Sequence, residues 1–470
     1  MTNQESFQLE QNELLKTILD LRFFAPWKDT KLDNGSLQHD SVLEIYVTNA
    51  CNQNCQYCYL VNQPGLYPSE KREPKLLLSN LHSLYQWVLD NRFNIPRCDL
   101  FSGEIWHTNF GLEVLEETLN FLKQGMRIEW FMIASNCSFV FDEKQLHKIQ
   151  HYIDEFRKYG SALVFSISVE GAILDNFSRP LNNGEQRTEE YYDRLFLFAK
   201  HNNFLFHPMV SSNNVKNWIE NYNWWKNQFK KWDINLYALM MLEVRNADWT
   251  KESIQDYNSF MDYLIDDYFI NECRNDIEIF SNHLLNVRNY LPKNQYGKEL
   301  GGYVPWAFPP ADTYLSCGAA DTLTVRLGDL AICPCHRTAY NKLLYGTFKV
   351  ENGEIIDIIA NNPQVAIRFI MPNVNLCSFG CDGCPFEKFC LKGCLGAQYE
   401  VMGDPFLPIP NVCEFFRAKY THLLEKFQKM GVIKYLQTFT RYEKDYPIVK
   451  NFLKMVQQWE NWKNGMEKWK

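Results

Sequence analysis

Eight residues constrain this chain more than any others: Cys51-Asn-Gln-Asn-Cys55-Gln-Tyr57-Cys58, directly after the apolar run 41–48. Three thiols spaced C-x3-C-x2-C, on a loop leaving a strand, can grip three corners of an iron–sulfur cube whose full complement is four thiolates. Where no fourth thiolate arrives, one iron keeps an open site, and open metal sites are where substrates and cofactors bind. The plainer readings are a zinc knuckle or three buried thiols, and the rest of the chain weighs against both.

At 470 residues the chain has room for one large domain and one or two smaller ones. A net charge of -8, with no basic stripe or tail, argues against nucleic acid or an anionic membrane as partner. No apolar run reaches spanning length, and the polar N-terminus lacks the features of a signal peptide. Fifteen cysteines without an export signal point to metal binding in a reducing compartment, so the cytoplasm is the expected location.

Residues 1–40 form a preamble, with Leu14, Leu15, Ile18 and Leu21 at helix spacing. From residue 41 to about 245, apolar runs at 97–101, 127–134, 162–169, 204–210 and 234–242 alternate with amphipathic helices. One of these helices carries Leu146, Ile149, Ile153 and Phe156 and stops at Gly160. With the first strand this makes six β/α units of a parallel sheet or barrel, where chemistry sits at the C-terminal strand ends. Residues 246–310 read as a helical bridge, 311–413 as a small cysteine-rich domain and 414–470 as helices with an apolar stripe at 448–462.

The triplet, with Tyr57 just before its last cysteine, resembles that of the radical S-adenosylmethionine (radical SAM) enzymes. The resemblance implies a partial (β/α)6 TIM-like barrel. It also implies a 4Fe-4S cluster on Cys51, Cys55 and Cys58 whose free iron chelates SAM, and cleavage of SAM to a 5'-deoxyadenosyl radical. Ser102-Gly103-Glu104-Ile105 partly matches the family's Gly-Gly-Glu-Pro motif, with Glu104 as acceptor for the SAM ammonium. By the same resemblance Tyr57 packs near the adenine. Asn136 follows strand three, Ser168 and Glu170 follow strand four, and Arg179 comes next; all are candidate SAM contacts. Ser211 and Ser212 close strand five. Cys137, on a barrel-top loop, is a candidate hydrogen-atom donor, with packing the preferred explanation; Cys98 and Cys273 read as buried apolar residues.

Beyond residue 310, Cys381-x2-Cys384-x5-Cys390-x3-Cys394 with a later Cys413 is similar to the SPASM extension of radical SAM peptide-modifying enzymes. So is the upstream Cys317 followed by Gly328-x4-Cys333. That likeness implies two auxiliary 4Fe-4S clusters. One would lie on Cys381, Cys384, Cys390 and Cys413. The other would lie on Cys317, Cys394 and either Cys333 or Cys335, its fourth position open and Cys377 spare. The alternative is a pair of zinc sites.

SPASM-bearing enzymes mostly modify peptides or proteins, so the expected activity is maturation of a ribosomally made precursor peptide by crosslinking, excision or epimerisation. The sulfatase-maturing branch, which oxidises a protein side chain, places an aspartate where this chain has Pro334. A non-catalytic iron–sulfur or zinc protein is the rival from another class. Expected partners are the peptide and a flavodoxin or ferredoxin as electron donor; since residues 1–40 are short for a recognition domain, the expectation is either a separate leader-binding protein or recognition by the groove between barrel and SPASM extension.

Overall fold

A computed structural model describes residues 3–29, 41–62, 73–101, 103–107, 110–246, 248–267, 319, 321–370, 384, 393–429 and 461. Two compact units divide the chain, Met1–His207 with Gly318–Asn375, and Pro208–Cys317 with Leu376–Lys470.

The first unit is built on one sheet. Five strands run parallel in chain order: β1 (Val42–Tyr46), β2 (Asn94–Phe101), β3 (Arg127–Ser135), β4 (Ala162–Ile167) and β5 (Leu205–Phe206). Helices Pro74–Asp90, Phe110–Lys123, Glu143–Lys158 and Glu189–Asn202 make the crossovers. The third of these starts where Asp142 caps the amides of Lys144 and Gln145 at 3.0 and 3.1 Å, and ends at Gly160, whose φ is +76°.

Alternation along the strands separates two faces. Leu43, Ile45, Cys98, Leu100, Phe131, Ile133, Leu163, Phe165 and Ile167 are all buried on one, where Phe131 and Phe165 meet rings Phe156 and Phe198 of the helices. The other face carries Glu44, Arg97, Asp99, Met132 and Ser166, also buried. Arg97 grips both oxygens of Asp99, at 2.7 and 2.6 Å, and burial still pushes the Asp99 carboxyl up to about 6. One face is thus a helix-packed core and the other a charged lining.

The sheet extends past β1. Strand β8 (Thr322–Arg326) pairs parallel with β1, and β9 (Ala331–Cys333), β10 (Gly346–Glu351) and β11 (Glu354–Ala360) follow antiparallel. The Gly328-x4-Cys333 element, read from sequence as part of the domain at 311–413, therefore belongs to the same sheet as the cysteine loop. The N-terminal helix Asn3–Leu19 packs at β11, where Asn12 and Gln8 side chains bond the amide and carbonyl of Ala360.

In the second unit, β6 (Met209–Val210) pairs parallel with β7 (Leu242–Glu243). The run 204–210 is therefore two short strands in two sheets, broken at His207-Pro208, where the proline has no amide to donate. The run 234–242 is strand only at its end, because Leu236–Ala238 form a 3-10 turn.

Helix Lys251–Asp266 starts on a capping box between Thr250 and Ser253. It packs with helix Pro410–Lys429, and Trp249 stacks on Phe415 at 3.9 Å. Between these elements Lys419 pairs with Glu243, which also accepts from Tyr257 at 2.7 Å, and the lysine is 1% exposed. Removing one member of a buried pair leaves a bare charge, so Lys419→Met is expected to cost about 3–5 kcal/mol, read as a lower urea midpoint. Among the described residues no helix is long and apolar enough to cross a membrane.

Candidate functional site

The cysteine loop is fixed by backbone on two sides. On one side Gly103 and Glu104 donate their amides to the carbonyls of Thr48 and Ala50, at 2.8 and 2.7 Å. A Cβ at Gly103 would stand 1.9 Å from the Ala50 oxygen, so only glycine allows this approach. Gly103→Ala must push the loop off β2. The expected result is a loss of about 1–3 kcal/mol in stability together with lower iron content after reconstitution.

On the other side the segment 178–182 lies along the loop like a strap. Asn54 and Gln56 donate to the carbonyls of Pro180 and Ser178, both at 2.9 Å, and Gln53 bridges Leu181 in antiparallel fashion. Asn182 donates its amide to the Asn52 carbonyl and its side chain to that of Cys51. No side-chain pattern announces this strap, because nearly all of its bonds are made by main chain.

Cys51, Cys55 and Cys58 are free, half-buried thiols. Burial pushes the Cys51 thiol up to about 11 and the Cys55 thiol up to about 12; Cys51 also feels Cys58, and Cys55 feels both Cys51 and Cys58. Thiols of this kind give up their protons when metal arrives. Among the described residues no three His, Cys, Asp or Glu side chains are grouped closely enough to hold a single metal ion.

Glu104 is 3% exposed. Its carboxylate accepts from the Asn136 amide at 2.7 Å, the Ser135 hydroxyl at 3.1 and 3.2 Å, and the Trp106 amide at 3.3 Å. Burial outweighs these bonds and pushes its carboxyl up to about 7. Among the described residues no cation pairs with it, and a buried, hydrogen-bonded carboxylate of that kind is the environment that an ammonium group would complete, so in that respect the residues fit SAM.

The other expected contacts form a supporting frame. Glu170 is fully buried, with Tyr57 donating to one oxygen and Arg179 to the other, while the guanidinium lies 5.3 Å from the centre of the Tyr57 ring. Asp175 accepts the Glu170 amide and the Tyr192 hydroxyl, both at 2.8 Å. Glu170 and Arg179 thus tie the cysteine loop to the loop after β4. Asn136 donates to the Asn52 side chain at 2.8 Å, and its own carbonyl receives Tyr191 at 2.7 Å. Ser168 is half-buried, its amide on the Ser135 carbonyl at 2.7 Å. Asn52, Asp175 and Tyr191 escaped the sequence reading, since an isolated Asn, Asp or Tyr carries no spacing signal.

Cys137 is fully enclosed at a left-handed residue (φ 54°), with its amide on the Ser135 hydroxyl, which is a packing position. Cys98 is likewise fully buried in the core. Cys333 is also fully buried, whereas Cys335 is half-exposed with the Thr338 hydroxyl 3.4 Å from its sulfur.

In the second unit, Ser211 is buried and Ser212 half-buried after β6. Cys384, Cys394 and Cys413 are half-buried and outside any disulfide. Cys394 caps helix Leu395–Met402, and Cys413 sits in the first turn of Pro410–Lys429. Arg245, two residues past β7, donates to the Gly393 carbonyl at 3.3 Å. Ser102, Cys273, Cys317, Cys377, Cys381 and Cys390 lie outside the described residues.

No protein-family model matches the sequence, and no curated protein matches it. Solved structures do match. Native anSMEcpe with bound AdoMet is 15% identical with a TM-score of 0.53, covering 83% of this chain and 98% of that one. Native anSMEcpe with bound AdoMet and Cp18Cys peptide is 14% identical with a TM-score of 0.52 and the same coverage. anSMEcpe is an anaerobic sulfatase-maturating enzyme of the radical SAM/SPASM class. At such identity the likeness concerns architecture, and in architecture this chain has the radical SAM/SPASM fold.

Proposed function

We infer that the chain is a radical SAM enzyme with auxiliary clusters that modifies a peptide or protein, and more narrowly a maturase of a ribosomally made precursor peptide. The observation that carries this is the three-thiol loop clamped between the 178–182 strap and Gly103-Glu104, with a buried carboxylate beside it that no cation among the described residues pairs. The peptide bound to one of the matching structures supports a peptide-sized substrate.

Bound together, a cluster and SAM supply a primary carbon radical that abstracts hydrogen from nearly any C–H bond, so placement matters more than activation. Cys51, Cys55 and Cys58 would hold three irons, and Glu104 would receive the ammonium. The Tyr57–Glu170–Arg179 frame keeps the loop from shifting during turnover. Cys384, Cys394 and Cys413, with Cys317, Cys381 and Cys390 and one of Cys333 or Cys335, are the thiols available to auxiliary clusters that take up the electron left on the substrate. A flavodoxin or ferredoxin would deliver the starting electron in the cytoplasm, and a separate leader-binding protein would present the precursor.

The likeness to a sulfatase-maturating enzyme favours a second reading, oxidation of a protein side chain, although Pro334 stands where that branch has aspartate. One experiment separates these. The anaerobically reconstituted enzyme is given dithionite and SAM, 5'-deoxyadenosine is measured, and short peptides encoded beside the gene are co-expressed and weighed. Loss of two hydrogens marks a crosslink or an oxidised side chain, which fragmentation and an aldehyde-reactive hydrazide tell apart, while unchanged mass marks an epimer and loss of a fragment an excision. Absence of 5'-deoxyadenosine from iron-replete enzyme ends the proposal.

A further inference from the structure

One buried carboxylate of the charged sheet face serves none of the roles above. Glu44, 4% exposed on β1, accepts from Thr324 at 2.8 Å and from the backbone amide of His336 at 2.5 Å with one oxygen. Its other oxygen stands 2.8 Å from Nδ1 of His336. Burial alone would raise the Glu44 carboxyl, but the His336 ring and these hydrogen bonds hold it below its ordinary value. A carboxylate that already accepts two hydrogen bonds on its other oxygen accepts here too, so Nδ1 is the donor and Nε2 is the ring nitrogen left open.

The ring itself is clamped. Phe101 stacks on it at 4.3 Å with planes 10° apart, and Tyr59 approaches at 5.9 Å. These neighbours give its address: Phe101 ends β2 just before the Gly103-Glu104 loop, and Tyr59 directly follows Cys58. His336 thus sits at the C-terminal end of the parallel strands, where such folds do their chemistry. Its side chain is 27% exposed, and Nε2 has no partner among the described residues. A histidine held this rigidly by a buried carboxylate, with one nitrogen left open, is built to meet something from outside the chain.

We propose that Nε2 of His336 hydrogen-bonds the peptide backbone of the substrate and so aims the reacting C–H bond, with Glu44 as the positioning residue that fixes the ring. The role rests on the peptide-modifying reading and requires no change in the charge of the ring. Hydrogen abstraction demands that one C–H be presented and its neighbours withheld, so a lost contact loosens aim before it stops SAM cleavage.

The test uses the full-length reconstituted enzyme and the peptide that the wild type modifies on co-expression. H336F keeps the stack on Phe101 and removes the hydrogen-bonding nitrogen. E44Q places an amide N–H opposite Nδ1, where the carboxylate accepted, and so removes the bond that fixes the ring. Each variant is expected to form about five to ten times more 5'-deoxyadenosine per modified peptide, the effect of one lost hydrogen bond on aim. Iron content and SAM cleavage without peptide should match the wild type. Wild-type coupling in either iron-replete variant overturns the contact, and so does loss of iron from E44Q, which would make the pair a support for the metal array. A wild type that cleaves SAM but modifies no peptide overturns the maturase reading beneath it, an outcome distinct from both.

Discussion

Cys58→Ala enzyme, made and purified without oxygen, is expected to cleave no measurable SAM, a deficit far beyond the roughly 10–100-fold cost of losing a residue that merely supports a ligand. The backbone at this position does its own work: the Cys58 amide bonds the Cys55 carbonyl at 3.0 Å, and the Cys58 carbonyl receives Val61 and Asn62 at 3.2 and 2.9 Å. Alanine keeps all three bonds, so the loop and the short helix Tyr59–Asn62 still form while one corner of the metal site is gone. The matched control is Cys98→Ala, which removes a fully buried sulfur from the core. It should lower stability by about 1 kcal/mol and leave SAM cleavage intact. Iron and sulfide content, 5'-deoxyadenosine yield and urea midpoint together separate the two. A Cys58→Ala protein that converts its target at the parent rate would sink the whole reading.

The residues legible in sequence are those whose meaning is local. The three-thiol loop announces itself by spacing, and Glu104 by its place after an apolar run. Strands one to four show the alternation that one apolar and one charged face impose. What stayed hidden depends on partners far along the chain. Pairing of Thr322–Arg326 with Val42–Tyr46 brings together residues 280 positions apart, and with it His336 reaches Glu44. Nothing in the run around either residue encodes that meeting. The strap at 178–182 is main chain and carries no residue code. Pro208 did carry a signal, since proline cannot donate to a neighbouring strand, and it marks the place where one apolar run becomes two strands. The 234–242 run shows the opposite failure: apolar residues in sequence suggested a strand, but the chain turns through Leu236–Ala238 before pairing at Leu242.

Glu104→Gln is expected to weaken SAM binding by about 30–150-fold, the worth of a charge-assisted bond of about 2–3 kcal/mol, and to abolish a pH dependence that the parent must show. The sign follows from the carboxyl's position at about 7, well above the ordinary glutamate value. A raised acid binds its proton more tightly in the folded chain than in the unfolded one. Without SAM, stability is therefore greatest below pH 4.5 as far as this group is concerned, and falls as pH rises toward 7. SAM reverses the preference, because its ammonium pairs with the ionised form alone. Affinity should climb about tenfold per pH unit below 7 and flatten above it, with a proton released on binding at pH 6 and almost none at pH 8. Glutamine fills the same space, accepts from the Asn136 amide and the Ser135 hydroxyl, and has no proton to lose, so its curve should be flat. Equilibrium dialysis of SAM against reconstituted parent and variant at pH 6, 7 and 8 reads both effects. A variant with the parent's affinity and the parent's slope would mean that the ammonium is bound elsewhere, and that the buried carboxylate beside the cysteine loop serves only to hold Ser135 and Asn136 in place.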